Sequence, residues 1–395
     1  ARVDMPKYGA SFQVTREQPL SSKDGVEEFP ERTRFAVTKS VTDKASVSIT
    51  HDILDGPSNT ANNTALGVSY APWAGTSITA GSDIIATDSG RRVGATVGLD
   101  QQFQISPKWS VSGGLTNRRV LSETGTVVQQ VAPDIAVSPL EVNQDYTAVY
   151  AGAAYKNDTM SLSTRAELRD AATGKTVTLS VGGVREMSEE LSFAIAGRAS
   201  RRDQAVQTNL NLPAGRATRI DGRAGIAWRP RDEGTTVLNR FDVSFEKAVS
   251  GDKTMKVVNN LAANKMVTDR WQLAANYGVK YIETNFGGES YSGVTHLAGA
   301  ETRFDVTERI DLGLNGSVLY SPGSDTVSYA YGPSVGVSPV DNVWISLGYN
   351  VQGYADRDFT AAEYSQKGAY LKFRFKFDQN TARGLLNKIS PATEK

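Results

Sequence analysis

Apolar and polar residues alternate through most of this chain, and that pattern constrains its fold more than any other feature. The segment 366–377 reads QKGAYLKFRFKF, where every second residue from Ala369 to Phe377 is apolar and the residues between are Tyr, Lys or Arg. Such a strand would invite aggregation at a water-exposed sheet edge, but it suits a position between lipid and a polar lumen. Similar alternation recurs at 32–41, 91–105, 160–169, 191–202 and 310–320. The pattern predicts an all-β transmembrane antiparallel β-barrel.

Composition excludes several other classes of protein. The 395 residues include 43 basic and 43 acidic side chains, so no charge excess points to nucleic acid. Cysteine is absent, which excludes disulfides, cysteine-ligated metals and thiol catalysis. No apolar run approaches the roughly 20 residues of a spanning helix. A spanning strand needs only alternate apolar residues over about 10 positions, which agrees with the modest hydrophobic content of 39%.

The links between the predicted strands alternate in length. Counting back from the C-terminus, every second link is a tight polar turn, at 340–342, 307–309, 268–270, 229–234, 188–190, 157–158, 106–108, 74–76 and 42–44. The links between these are mostly longer, at 356–364, 285–290, 203–215, 121–144, 55–61 and 17–30, although 250–252, 88–90 and 321–326 are short. Short periplasmic turns and longer outer loops are typical of outer-membrane barrels. We therefore predict about twenty strands, or eighteen if one hairpin is divided wrongly, with both termini periplasmic.

Closure of such a barrel requires its first and last strands to pair, because no backbone group can remain unpaired in lipid. We expect the first strand, near 8–16, to pair with 368–377. The barrel domain is predicted to span 1–378 and to be followed by a periplasmic tail at 379–395. The tail is interpreted as a loose end, with a plug or docking segment as the alternative.

Two further segments leave alternatives open. Loop 121–144 is long and partly apolar, so it either folds inward as a constriction, reaches a partner outside or remains a plain surface loop. The chain begins ARVDMPKY, without a basic-then-apolar leader, so we expect either a processed signal peptide or a longer parent chain.

The tryptophans lie near one set of turns. All five are within two residues of a tight turn: Trp73, Trp109, Trp228, Trp271 and Trp344. Aromatic side chains collect at membrane interfaces, so we predict an interface girdle there. Strict alternation places Trp344 on the lumen side, and it therefore requires a bulge or a different role.

The polar face of the predicted strands carries charges of both signs. The residues predicted to line the lumen are Arg165, Glu167, Arg169, Arg198, Arg202, Arg223, Arg240, Asp242, Lys280, Glu301, Arg303, Lys372, Arg374 and Lys376. They form either an ion-pair network that holds the wall in shape or the lining of an anion-preferring pore. Many Gly and Ser residues at inward positions favour a water-filled or separately plugged interior.

Catalytic signals are weak. The two histidines, His51 and His296, are far apart in the chain, and no Gly-x-Ser-x-Gly motif accompanies them. His, Asp and Glu do not cluster at metal-ligand spacing. We expect no enzyme activity, no metal and no cofactor.

The C-terminus carries two resemblances. The order of Gln366, Gly368, Leu371 and Phe373, extended by Phe375 and Phe377, resembles the signal by which bacterial outer-membrane barrels are recognised by the barrel-assembly machinery. More widely, 347–379 resembles the end of large bacterial surface proteins that carry Ig-like repeats. In those proteins a glycine–aromatic–Asp-Arg-Asp-Phe loop joins the last two strands, and the matching residues here are Gly353, Tyr354, Asp356, Arg357, Asp358 and Phe359.

These resemblances imply a barrel in the bacterial outer membrane that anchors, or translocates, a larger envelope or surface assembly. Its partners would be outer-membrane lipid, the barrel-assembly machinery and an additional surface protein or upstream domains. A porin-like channel for small solutes, with anions as the candidate class, is the alternative.

Overall fold

A computed structural model describes residues 2–17, 31–55, 60–125, 127, 144–206, 214–231, 234–340, 343–356, 358–362 and 365–375. Within these residues the chain is an antiparallel sheet of 21 strands. None of the helical segments in this part of the chain is long and apolar enough to cross a membrane. The predicted tail 379–395 and most of loop 121–144 lie outside the described residues.

The strands are long for a protein sheet, and the longest has 19 residues. Their bounds are β1 Arg2–Met5, β2 Ala10–Glu17, β3 Glu31–Thr42, β4 Ala45–Asp55, β5 Thr60–Tyr70, β6 Thr76–Thr87, β7 Gly90–Gln104, β8 Trp109–Gly125, β9 Tyr146–Lys156, β10 Met160–Ala171, β11 Gly174–Glu186, β12 Leu191–Gln204, β13 Gly215–Trp228, β14 Thr235–Lys247, β15 Lys253–Thr268, β16 Trp271–Phe286, β17 Glu289–Thr307, β18 Ile310–Ser321, β19 Thr326–Val340, β20 Val343–Asn350 and β21 Gly368–Phe375. Short 3₁₀ turns occupy Pro6–Tyr8, Pro322–Ser324 and Thr360–Ala362.

The predicted fold class is confirmed, and the predicted strand count is close. Every predicted tight turn falls at a junction between consecutive strands; for example, only residues 269–270 separate β15 from β16. The additional strand is the four-residue β1, which the chain reverses onto β2 through the Pro6–Tyr8 turn and Gly9 at φ 57°.

Two local predictions are corrected. The link at 285–290 is not a long loop, because only Gly287 and Gly288 separate β16 from β17. Their φ angles are 61° and 91°. This backbone conformation suits glycine and allows the strand to reverse within two residues.

The predicted pairing of the first and last strands is also wrong for the described residues. Met5 pairs with Ala10 and Arg2 pairs with Gln13, so β1 occupies the edge of β2 that was assigned to the last strand. β3 pairs with the other edge of β2, and β21 pairs with β20.

The chain divides into two compact units, one made of 1–182, 198–219 and 248–251, the other of 183–197, 220–247 and 252–395. In the first unit, β1 to β10 follow one another as antiparallel neighbours. In the second unit, β14 to β21 do the same.

The second unit shows the two-sided pattern that the sequence predicts. On β16, Leu273 and Tyr277 are 38% and 44% exposed on one face. On β21, Leu371 and Phe373 are 46% and 54% exposed. Apolar side chains that remain exposed along successive strands are those expected to meet lipid. The small apolar core of this unit lies on the opposite, polar face, around Leu297 and Phe359.

Candidate functional site

The connection between β20 and β21, residues 351–367, folds back over the polar face of β15 to β18; we call it the return segment. It leaves β20 with the Val351 amide donating to the Tyr331 carbonyl at 2.9 Å. The Tyr354 amide donates to the Ser365 carbonyl at 3.0 Å, and the Ser365 hydroxyl donates to the Tyr354 carbonyl at 2.8 Å. These paired bonds join the two ends of the loop and fix its shape.

An aromatic side chain attaches the return segment to the strands. Phe359 is fully buried and packs with Val258 and Leu297. Beneath it lies Gly278, where an added Cβ would come within 2.5 Å of the Phe359 ring. Glycine at this position of β16 therefore provides the space that the ring occupies. Complete burial of a phenylalanine is worth about 1.5–3 kcal/mol.

Four charges surround this aromatic contact. The Lys280 Nζ lies 2.5 Å from Asp356 Oδ2 and 3.2 Å from Asp358 Oδ2. The Lys256 Nζ lies 2.5 Å from Asp358 Oδ1. Lys280 and Asp356 are each 11% exposed, so this pair is largely shielded from water. The cluster contains equal numbers of positive and negative groups, as shielded charges require.

Electrostatics and hydrogen bonds stabilise the carboxylate form of Asp358. Burial alone would raise the pKa of Asp358, but hydrogen bonds and charge from Lys256 and Lys280 outweigh burial and hold that pKa below its usual value. The Asp358 amide donates to Asp356 Oδ1 at 2.9 Å, which is a local turn closed by an aspartate side chain. Tyr354 donates its hydroxyl to Ser317 Oγ at 2.8 Å, and burial raises the pKa of this tyrosine.

A second polar cluster in the same unit includes predicted lumen residues. Arg303 contacts Glu301 at 2.6 Å and Asp311 at 2.5 Å, and Lys372 lies 3.8 Å from Glu301. The Trp344 Nε1 donates to Asp311 at 2.6 Å, and the Arg303 guanidinium lies 4.1 Å from the centre of the Trp344 ring. The side chain of Trp344 thus belongs to this charged cluster.

The other four predicted girdle residues differ from Trp344. Trp73, Trp109, Trp228 and Trp271 are between 40% and 61% exposed. Two of them use the indole N–H at the surface: Trp73 donates to Gln101 and Trp271 donates to Thr302. The contacts of Trp344 therefore agree with the lumen side, which the alternation of apolar and polar residues indicates. They do not agree with the interface girdle, which was predicted from the short distance between Trp344 and a turn.

Other predicted lumen residues form pairs along the strands. In the second unit, Arg223 and Arg240 both contact Asp242, at 2.5 Å and 2.7 Å. In the first unit, Arg165 contacts Glu167 at 2.9 Å.

Two of the predicted arginines in the first unit also stack on tyrosine rings. Arg165 lies 3.6 Å from the centre of the Tyr150 ring, and Arg169 lies 3.7 Å from that of Tyr146. Among the remaining predicted residues, Arg198 is exposed and Arg202 half-buried on β12. The backbone of Arg374 pairs with Trp344, and Lys376 lies outside the described residues.

Residues of the proposed assembly signal lie at the end of the described chain. Leu371 and Phe373 point to the exposed apolar face, whereas Gly368 faces the other way at φ 122°. The side-chain Nδ2 of Asn350 donates a hydrogen bond to the backbone carbonyl of Gln366 at 2.9 Å. Phe375 ends β21, and Phe377 lies outside the described residues.

Each histidine contacts a hydroxyl group within its own unit. In the first unit, His51 Nδ1 lies 2.8 Å from Thr64 Oγ1. In the second, His296 Nδ1 lies 2.9 Å from the Tyr277 hydroxyl. Among the described residues, no group of three or more His, Asp or Glu side chains could hold a metal ion.

Several structural partners were missed by sequence analysis. Arg118 makes a two-pronged pair with Asp83, its Nη1 at 2.5 Å and its Nη2 at 2.8 Å from the two carboxylate oxygens. Continuing the alternation along β8 would have placed Arg118 on the polar face. Lys256 could have been found in the same way on β15. The position of Asp356 and Asp358 against these strands depends on the path of a loop, which alternation does not give.

Comparisons with known proteins indicate the fold of this chain but do not assign it to a family. No family model and no curated protein matches the chain. The apoprotein form of the FrpB iron transporter from Neisseria meningitidis (F5-1 variant) is 12% identical, with a TM-score of 0.51 over 93% of this chain and 76% of that one. The F3-3 variant of the same transporter gives 12% identity and a TM-score of 0.50 over 93% and 77%. The fold is that of a bacterial outer-membrane β-barrel.

This barrel fold agrees with the predicted location in the bacterial outer membrane. A bacterial polysaccharide outer membrane secretin also matches over 94% of this chain and 99% of that one, at 10% identity and a TM-score of 0.38. The fold assignment rests on the two transporter structures together with the exposed apolar faces. Both FrpB structures are iron transporters by name.

Proposed function

We propose that this barrel anchors, or translocates, a larger envelope or surface assembly in the bacterial outer membrane. One observation carries the proposal: the residues on which the resemblance to repeat-bearing surface proteins rests are those that fix the return segment. Asp356 and Asp358 pair with the strand lysines, Phe359 is buried above Gly278, and Tyr354 bonds to Ser317.

This arrangement suits an anchor better than an open pore. A barrel of about twenty strands leaves an aqueous lumen unless something fills it. The return segment covers part of the polar face with the chain's own backbone, and its Asp356 and Asp358 are paired with the strand lysines. The implied partners are lipid, the barrel-assembly machinery and a surface protein or upstream domains.

A porin-like channel is the second candidate, and the exposed arginines favour it. Arg165 and Arg223 keep 50% and 61% of their side-chain surface exposed despite their ion pairs. Exposed guanidinium groups on the polar face would attract negative solutes and steer them.

Conductance of the purified 395-residue chain in a planar bilayer separates the two functions. An anchor with an occupied interior gives folded protein with little or no steady conductance. A large, steady conductance with anion preference in a salt gradient would contradict the anchor and establish the channel. Heat-modifiable migration in gels shows that the protein is folded in either case.

A further inference from the structure

Two lysines on neighbouring strands converge on one carboxylate of the return segment. Lys256 lies on β15 and Lys280 on β16, and the residue that pairs with Lys280 in the sheet is Val258. Both ammonium groups contact the Asp358 carboxylate, at 2.5 Å and 3.2 Å, and Lys280 also contacts Asp356. Two neighbouring ammonium groups can bind an oxyanion such as a carboxylate or a phosphate.

The bound carboxylates belong to a loop, whereas the lysines belong to the wall. Strand positions are held by backbone pairing on both sides: β15 pairs with β14 and β16, and β16 pairs with β15 and β17. The described residues of the return segment between Gly353 and Ser365 belong to no strand, and side chains hold them to the wall. If the segment moved away, the two lysines would remain close together without their carboxylates.

We propose that Lys256 and Lys280 form an oxyanion-binding site that the chain's own Asp356 and Asp358 occupy, and that an external polyvalent oxyanion displaces the return segment by taking their place. Ligands of this class carry several phosphate or carboxylate groups, since they must replace two aspartates. Departure of the segment uncovers Val258 and Leu297, on which Phe359 now lies. The site does not depend on whether the barrel is an anchor or a channel.

The natural absence of cysteine allows this movement to be measured by thiol labelling. Val258→Cys removes about one methyl group of volume and places the only thiol under Phe359, where the parent side chain is 3% exposed. We expect a small neutral thiol reagent to label this variant slowly in the folded protein. Adding Gly278→Ala places a methyl group against the Phe359 ring and should raise the labelling rate at least tenfold.

Gly293→Ala is the matched control. Gly293 lies on the same face of β17 as Leu297, and an added Cβ would meet nothing within 4 Å. The Val258→Cys/Gly293→Ala variant should label within about twofold of Val258→Cys alone. Equal rates for the Gly278→Ala and Gly293→Ala variants would overturn the account of how the segment is held.

Tripolyphosphate tests the anion site itself. Adding it to Val258→Cys should accelerate labelling in a saturable way and by more than sodium chloride of equal ionic strength. A variant that also carries Lys256→Gln and Lys280→Gln lacks the anion site, so we expect its thiol to be labelled fast without any added anion. Tripolyphosphate and sodium chloride should then have equal effects on its labelling rate. Equal effects of the two salts on Val258→Cys would overturn the proposal, because general screening would then explain any release.

A second cysteine variant is needed in case Val258→Cys does not fold. Leu297→Cys occupies the opposite side of the same contact, where the parent side chain is 1% exposed. It should show the same acceleration by tripolyphosphate and by Gly278→Ala. Failure of both folded reporters to respond to tripolyphosphate rejects the site, whatever the conductance measurement shows about function.

Discussion

Lys280 shows how single residues organise the polar face of this barrel. Its ammonium group contacts Asp356 and Asp358 and lies 5.3 Å from the centre of the Phe359 ring. One side chain of β16 therefore joins the charged and the aromatic contacts of the return segment. The effect of pH on the segment follows from this contact.

Among the described residues, the charges that face Asp358 are Lys256 on β15, Lys280 on β16 and Asp356 on its own segment. The pKa of Asp358 is lower in the folded protein than in the unfolded chain. The contribution of Asp358 to stability is therefore complete above the ordinary aspartate pKa of about 3.9, and it is lost as the pH falls through the lower pKa of the folded protein. The return segment should stay in place from pH 8 to pH 5 and loosen only below about pH 4. A spin label at Ala361→Cys, an exposed position, would report this as a change in mobility. Loosening between pH 7 and pH 5 would contradict the assigned ion pairs.

The ion pair between Arg118 and Asp83 gives a second residue-scale prediction. These side chains are 6% and 13% exposed, so removing the guanidinium leaves a shielded carboxylate without its partner. Arg118→Ala should lower the free energy of unfolding by about 3–5 kcal/mol. Lys175→Ala is the control, because its pair with Asp170 is 66% and 55% exposed and should be worth at most about 1 kcal/mol. Reversible denaturant unfolding in lipid vesicles measures both, and equal losses would show that the burial of the first pair is energetically irrelevant.

At the scale of single elements, the last strand has a lipid side and a polar side. Phe373 is 54% exposed, and its neighbour Lys372 lies on the other face near Glu301. Phe373→Arg should cost about 2–4 kcal/mol if it meets the middle of the bilayer. Lys372→Arg keeps its charge on the polar face and should fold normally. Heat-modifiable folding into vesicles compares them; normal folding of Phe373→Arg would show that this face does not meet lipid.

Elements were predictable from sequence where local pattern decides them. Alternation gave the faces of β16 and β21, and polar turn residues gave the junctions between strands, because both depend on neighbours in the chain. The turn at Gly287 and Gly288 was predicted as a longer loop, because the polar residues on either side of it also suggested a loop. In the structure these polar residues belong to the strands, and the two glycines alone reverse the chain. The hairpin of β1 and β2 was missed because four residues are too few to show alternation.

At the scale of the whole molecule, the sequence predicted the class of fold but few of the contacts of its candidate site. Arg118 and Asp83 are 35 residues apart, on β8 and β6, with β7 between them. Lys280 and Asp356 are 76 residues apart. Such pairs depend on the register of several strands and on the path of a loop, neither of which follows from a period of two residues. Charges on the polar face could be predicted, but their partners could not.

A membrane-spanning barrel requires lipid on one face of the strands and water or protein on the other. Spin labels at single cysteines along β16, from position 272 to 277, test this directly in a chain with no other cysteine. We expect accessibility to oxygen to peak at 273, 275 and 277, and accessibility to a water-soluble nickel complex to peak at 272, 274 and 276. Accessibility to the nickel complex at every position, without a period of two, would contradict a membrane-spanning barrel.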